Sequence, residues 1–199
     1  MKKNNYFSPV GGLPQQSKLL TDRAVFKGSY AVIPRGCFTD IVTSTLPLWK
    51  NMRMWIVARP MTGFAETFSQ YVVQLEPNGG SENPESNSDV QSVLFLTSGS
   101  AKLKVNSESH ILTSGSYAYI PAGSEWSIWN NSSETTNFHW IRKEYQDVKG
   151  LERPTAFVTN ETECEDVEMP NSNSTWFTKR FVDAYDIRHD MHVNIVTFQ

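Results

Sequence analysis

The stretch that most constrains this chain is Gly115–Asn130, GSYAYIPAGSEWSIWN. Tyr117–Ile120 is a run of β-forming residues. Pro121, Ala122 and Gly123 then break it with turn chemistry, and Trp126–Asn130 resumes an apolar strand. The segment therefore predicts a β-hairpin. Its glycine, proline, second glycine, tryptophan and asparagine fall at the spacing G-x5-P-x-G-x2-W-x3-N.

The rest of the chain repeats this texture. Short apolar segments are each closed by turn residues: Tyr30–Ile33 before Pro34-Arg35-Gly36, Ile41–Thr45, Met54–Ala58 before Pro60, and Phe68–Leu75 before Pro77-Asn78-Gly79-Gly80. A polar loop, Ser81–Asp89, leads into Val93–Leu96, Ala101–Val105, Ser109–Thr113 and the hairpin, and Asn137–Arg142 follows. Strands spaced about 8–12 residues apart with turns between them indicate an all-β sandwich or barrel. Ala101–Val105 alternates Ala, Leu and Val with Lys102 and Lys104, so one face is buried and the other wet. In Phe68–Leu75 the glutamines Gln70 and Gln74 share a side with Val72; they either enter a small cavity or face solvent. Only Glu161–Glu168 suggests a helical turn. Residues 1–20 are expected to be a polar arm, 21–147 a barrel, and 148–199 a linker followed by further strands.

Charge and composition exclude several classes of function. The formal net charge is −3, from 18 basic and 21 acidic residues that are well interspersed, which argues against nucleic acid or an anionic membrane as partner. No run approaches the roughly 20 apolar residues of a membrane helix. The start, MKKNNYFSPVGGLPQQ, lacks the apolar core of a secretory signal, so a cytoplasmic location is expected. Cys37 and Cys164 form no metal-binding spacing and are read as free thiols. The sequons at Asn130, Asn131, Asn160 and Asn173 are read as polar turns.

The hairpin spacing resembles the second signature of the cupin barrels, G-x5-P-x-G-x2-H-x3-N, with Trp126 in place of the metal-ligating histidine. Longer stretches resemble one cupin family in order and spacing: Leu19–Gly36, Gly63–Gly80, the hairpin, Phe138–Glu152, Ala156–Glu161 and Arg180–Phe198. On these the chain is identified as resembling the (S)-ureidoglycine aminohydrolase family, proteins with two cupin barrels that act in allantoin breakdown. The resemblance implies an all-β, cupin-type jelly-roll barrel followed by an incomplete start of a second cupin. It also implies hydrolysis of a small ureide, ureidoglycine, to ureidoglycolate and ammonia with manganese, and assembly as a homo-oligomer. The family's metal ligands belong to the second barrel, downstream of the strand matching His192–Phe198. No position here matches them, so no catalytic, cofactor or metal residue is assigned and no metal is expected to bind this chain.

The residues themselves agree. The first cupin signature, two histidines and a glutamate, should fall between Gly79 and Gly99. That interval holds no histidine, and Ser92 stands at the glutamate position. Glu82, Glu85 and Asp89 read as solvated loop carboxylates. His110 is expected to be a surface pair partner, and His139 a satisfied, half-buried side chain. His189 and His192 are three apart beside Asp190 but enter a strand, where that spacing points to opposite faces. No nucleophile elbow appears, Cys37 has no nearby histidine, and Gly11-Gly12 and Gly79-Gly80 are turn glycines rather than phosphate cradles. Glu66 and Glu144 are lone carboxylates. Tyr117, Tyr119, Trp126, Trp129, Phe138 and Trp140 are expected in the core, with Trp126 filling the volume a metal would otherwise occupy.

The C-terminal part carries strand candidates at Ala156–Thr159, Trp176–Val182 and Met191–Phe198, separated by the polar, acidic Asn160–Ser174. A chain ending on a strand such as Met191–Phe198 exposes an apolar edge, which predicts pairing between copies. The function left open is either a family member lacking its reactive half or a metal-free binding or assembly barrel. A metal site on His189 and His192 is the third alternative.

Overall fold

The computed structural model describes residues 24–33, 45–60, 65 and 67–199. The expected arm at 1–20, most of the Ile41–Thr45 segment, Cys37 and Glu66 lie outside the described residues. The described chain is built of strands: β1 (Val25–Phe26), β2 (Ala31–Val32), β3 (Lys50–Ala58), β4 (Phe68–Ser81), β5 (Val90–Ser98), β6 (Ser100–Val105), β7 (Glu108–Thr113), β8 (Ser116–Ile120), β9 (Trp126–Trp129) and β10 (Thr136–Glu144). β11 (Phe157–Asn160), β12 (Val167–Glu168), β13 (Trp176–Arg180) and β14 (Asn194–Phe198) follow. The expected helical turn is a 3-10 turn at Glu161–Glu163, capped by the Asn160 side chain. Among the described residues no helix is long and apolar enough to cross a membrane.

A nine-stranded sheet runs β11-β8-β5-β10-β4-β9-β6-β7, with β3 also paired to β4. It folds back on itself at β4, whose first part pairs with β10 and β3 and whose end pairs with β9. The result is a nearly closed barrel. Inward side chains alternate along each strand: Val73 and Leu75, Leu94 and Leu96, Phe138 and Trp140 on one wall, Leu103, Val105 and Ile128 on the other. Lys102 and Lys104 point outward from β6, as their alternation requires.

Pro77-Asn78-Gly79-Gly80 is not the turn the sequence suggests. β4 continues through it to Ser81, and the four residues make the bend by which the strand changes partners. Asn78 is left-handed at φ 59°, and a Cβ on Gly80 would lie 2.1 Å from the Ile128 carbonyl oxygen. Only a glycine admits that approach of two backbones.

β5 is buried on both faces, which explains the unbroken apolar run Val93–Leu96 at its centre. Its inner face enters the barrel core. Its outer face, with Tyr117 and Tyr119 of β8, lies under the C-terminal segment in a second core with Phe181, Val193 and Ile195. β11 extends the barrel's own sheet by pairing with β8. β12, β13 and β14 form a separate three-stranded antiparallel sheet.

Candidate functional site

The site to test in such a barrel is its centre, where the hairpin and β5 face each other. Trp126 opens β9, and its ring, 6% exposed, meets Trp140 edge-on with centroids 5.9 Å apart. Trp140 in turn tilts against Trp49 at 5.5 Å and Tyr71 at 5.6 Å. Its indole N–H donates to the Ser92 hydroxyl over 3.0 Å. The serine at the glutamate position is therefore engaged by an indole, and the tryptophan at the histidine position is packed against that indole's ring.

Two further residues complete this end of the barrel. The Arg142 guanidinium lies 5.5 Å over the Trp140 ring, and its Nη2 is 2.6 Å from a Glu85 carboxylate oxygen. Glu85, expected in a solvated loop, has a side chain only 7% exposed and is bound to this arginine. A carboxylate removed from water needs such a partner, and an arginine offers a planar fork that suits it. No sequence signal joined the two, because they are 57 residues apart.

Manganese requires several oxygen or imidazole donors converging on one point. The barrel centre offers indole faces, one hydroxyl already bonded, and a carboxylate already neutralised by arginine. The residues do not fit the metal. Among the described residues no three His, Cys, Asp or Glu side chains converge anywhere.

The histidines divide as follows. His110 lies 3.6 Å from Glu108 at the surface. His139 is half-buried on the outer face of β10, its Nδ1 3.3 Å from the Gln70 amide nitrogen. His189 and His192 are not in a strand: β14 starts at Asn194, and both precede it in turn and coil. The face argument for them therefore falls, and contacts take its place. The His192 ring bonds the His189 backbone carbonyl at 3.0 Å, while the His189 ring packs edge-on against Tyr119 at 4.7 Å. Burial lowers the pKa of His189, partly offset by Asp186 4.0 Å away. Cys164 is a half-buried free thiol whose pKa burial raises. Glu82, Asp89 and Glu144 are exposed. Asn130 and Asn160 are turn-formers: Asn130 is fully buried, with its amide donating to three backbone carbonyls, and Asn160 caps the 3-10 turn.

Two cores take five members of the aromatic set, while Trp129, expected in the core, is half-buried and belongs to neither. Trp126, Phe138 and Trp140 fill the barrel, whereas Tyr117 and Tyr119 sit outside it under the C-terminal segment. There Gln91, fully buried, accepts from the Tyr119 hydroxyl at 3.0 Å and donates to Asp190, which also pairs with Lys143. Desolvation raises the pKa of both tyrosines, with further upward pressure on Tyr119 from Tyr145 and Asp190. A glutamine beside the apolar run of β5 was the one available sequence signal for this cluster.

Comparison with known proteins follows this geometry. Residues 71–142, the span from β4 to β10, match the Cupin_2 family, the cupin domain. The crystal structure of the putative glyoxylate-induced protein from Pseudomonas aeruginosa is similar with a TM-score of 0.88 and 51% identity, over 98% of this chain and 70% of that one. The (S)-ureidoglycine aminohydrolase of Escherichia coli strain K12 is 26% identical over 195 residues, 97% of this chain and 70% of that protein. A probable (S)-ureidoglycine aminohydrolase of Oryza sativa subsp. japonica is 26% identical over 178 residues, and this chain spans 53% of its length. With residues 71–142 matching the cupin domain and almost the whole of this chain aligning with these relatives, the chain belongs to the cupin proteins of the (S)-ureidoglycine aminohydrolase family.

Proposed function

We propose that this chain provides the scaffold barrel of a ureidoglycine aminohydrolase-type protein, and that ureide hydrolysis is not carried out inside this barrel. The observation that supports this is the stack at its centre, where Trp126, Trp140 and Ser92 satisfy one another. A hydrolytic site needs an open position for water and substrate beside its donor groups. Packed indoles offer neither. The barrel's contribution is stiffness and a surface on which other elements seat, and a small ureide is the substrate of the family's reaction rather than of this cavity.

A second reading, that the chain is an assembly module, is favoured by the small sheet. Its outward face carries Val167, 46% exposed, Val196, 46%, and Phe198, 77%, with Phe198 stacked on Trp176. Apolar side chains grouped on one sheet face mark a protein contact. Self-association through this face is the form of assembly proposed.

Ammonia release from (S)-ureidoglycine, with and without added manganese chloride, tests the first reading. The purified 199-residue chain is expected to release none above the spontaneous rate. Manganese-dependent release that disappears on Trp126→Ala would place the chemistry in this barrel and overturn it. Sedimentation velocity tests the second. A species larger than the monomer that reverts to monomer on Phe198→Lys is the expected result, and a monomer at every concentration contradicts it.

A further inference from the structure

A cleft of about 250 Å³ lies outside the barrel, between the outer face of β4, β10 and β5 and the segment Val193–Ile195. Phe95, Phe181 and Ile195 wall it, and Gln70, Thr97, His139 and Asn194 are its polar lining, the Thr97 hydroxyl donating to the Asn137 carbonyl. Among the described residues no lysine, arginine or carboxylate contributes. The walls belong to the second core, so the cleft is fixed by packing on three sides rather than by a loop: Phe181 stacks on Tyr117 at 4.3 Å and tilts against Phe95 at 5.8 Å.

Gln70 is held in a defined orientation. Its Nε2 can only donate, so His139 Nδ1, 3.3 Å away, accepts, and the neutral imidazole carries its proton on Nε2. One Gln70 N–H is spent in this bond. The second N–H and the carbonyl oxygen of the same planar amide remain as one donor and one acceptor.

We propose that this cleft binds a small neutral molecule with an apolar body and an amide or lactam edge. The ligand's N–H donates to Gln70 Oε1 and its carbonyl accepts from the second Gln70 N–H, while its body lies between Phe95, Phe181 and Ile195. Three features select this class. The volume equals that of about eight waters in the liquid, which suits a single ring and excludes a nucleotide. With no lysine, arginine or carboxylate among the described lining residues, an anion or cation would lose its hydration there without compensation. One donor beside one acceptor discriminates against molecules that only accept or only donate, because one group of the half-buried Gln70 amide would then go without a ligand partner. His139 acts here as a positioning residue for the Gln70 amide.

Benzamide is the probe, with benzoate and toluene as controls, observed by amide chemical-shift perturbation on the full 199-residue chain. Benzamide is expected to bind with Kd of order 1 mM, as befits so small a ligand. The perturbations should centre on Phe95, Phe181 and Ile195. Benzoate and toluene should each bind at least tenfold more weakly. Gln70→Leu, checked for an unchanged urea midpoint, should weaken benzamide by about tenfold and leave toluene unaffected. Should that variant unfold, Asn194→Ala, on an exposed position, is expected to weaken benzamide severalfold instead. Perturbations located elsewhere, equal binding of benzoate, benzamide binding indifferent to both variants, or no benzamide response at about 10 mM would each overturn the assignment.

Discussion

Lys143 and Asp190 are 47 residues apart and ion-paired at the seam where the C-terminal segment meets the barrel's outer face. Their side chains are 16% and 18% exposed, and the same carboxylate accepts from the buried Gln91 amide and, at 3.2 Å, from the Gln146 backbone N–H. One acidic side chain thus satisfies three donors drawn from two strands and the chain that follows them. Breaking a largely buried pair is costlier than never having made it, because the surviving charge is left without a partner.

Asp190→Ala should therefore destabilise the protein by about 3 kcal/mol, read as a lower urea midpoint. Amide hydrogen exchange in β13 and β14 should speed up before that in β4 and β10, since the clasp holds the C-terminal segment. Lys143→Met combined with Asp190→Leu should recover most of the loss. If the single variant melts like the parent, the pair is only a surface contact.

Tyr117 offers the opposite case. Its ring is fully buried between Phe157 and Phe181, yet its hydroxyl has no hydrogen-bond partner among the described residues. A buried polar atom left unpaired costs about 1–3 kcal/mol. Tyr117→Phe removes that atom and preserves the stack, so it is expected to raise stability by about 1 kcal/mol. Thermal melts should show the midpoint rising by a few degrees. A fall of similar size would mean that the hydroxyl is satisfied in solution.

The barrel was legible in the sequence because its two requirements are local. Turn residues mark where strands stop, and Lys102 and Lys104 alternating with apolar residues mark which face is wet. The packing of Trp126 into the barrel was legible too, since its place in the hairpin is set by its spacing from Gly115 and Pro121. What local pattern cannot carry is a contact across long separations. Arg142 with Glu85, and Gln91 with Asp190, are each visible only once the strands are side by side. Pro77–Gly80 misled in another way. Glycine and proline signal any sharp bend, and a strand changing sheets uses the same residues as a turn that ends one. The two tyrosines of the hairpin, likewise, are core residues of a core that the hairpin alone does not reveal.

His189 makes stability depend on pH. Its ring is buried against Tyr119 and Phe157 of the barrel, with Asp186, Arg188, Asp190 and His192 as the charged or titratable groups around it. Burial outweighs the carboxylates and lowers its pKa below the ordinary 6.5. The unfolded chain then takes up the proton at a higher pH than the folded one. This contribution to stability is intact above about pH 6.5, falls as the pH drops through the folded pKa, and is constant below it. His189→Phe keeps the aromatic packing and removes the titration. Its stability relative to the parent should therefore improve on acidification from about pH 7 to 5, from a difference within about 1 kcal/mol at neutral pH. Parallel urea midpoints at both pH values would show that His189 does not drive the dependence.

Trp126→His restores the one residue by which the hairpin departs from the cupin signature, and so asks whether a single ligand can bring back a metal site. The physical expectation is that it cannot. An imidazole at this position would face Trp140, whose indole N–H already holds Ser92, and the Glu85 carboxylate is engaged by Arg142. One imidazole with no second or third donor falls short of the coordination that manganese or zinc demands. The smaller ring also leaves part of the indole's volume empty, with the loss of its contacts to Trp140. A destabilisation of about 2–3 kcal/mol is expected, and elemental analysis after dialysis against manganese should find no more metal than in the parent. Stoichiometric manganese in the variant, together with a rise in stability when the metal is added, would mean that the barrel centre retains donors poised for an ion. The packing of Trp126 would then be the only thing excluding it.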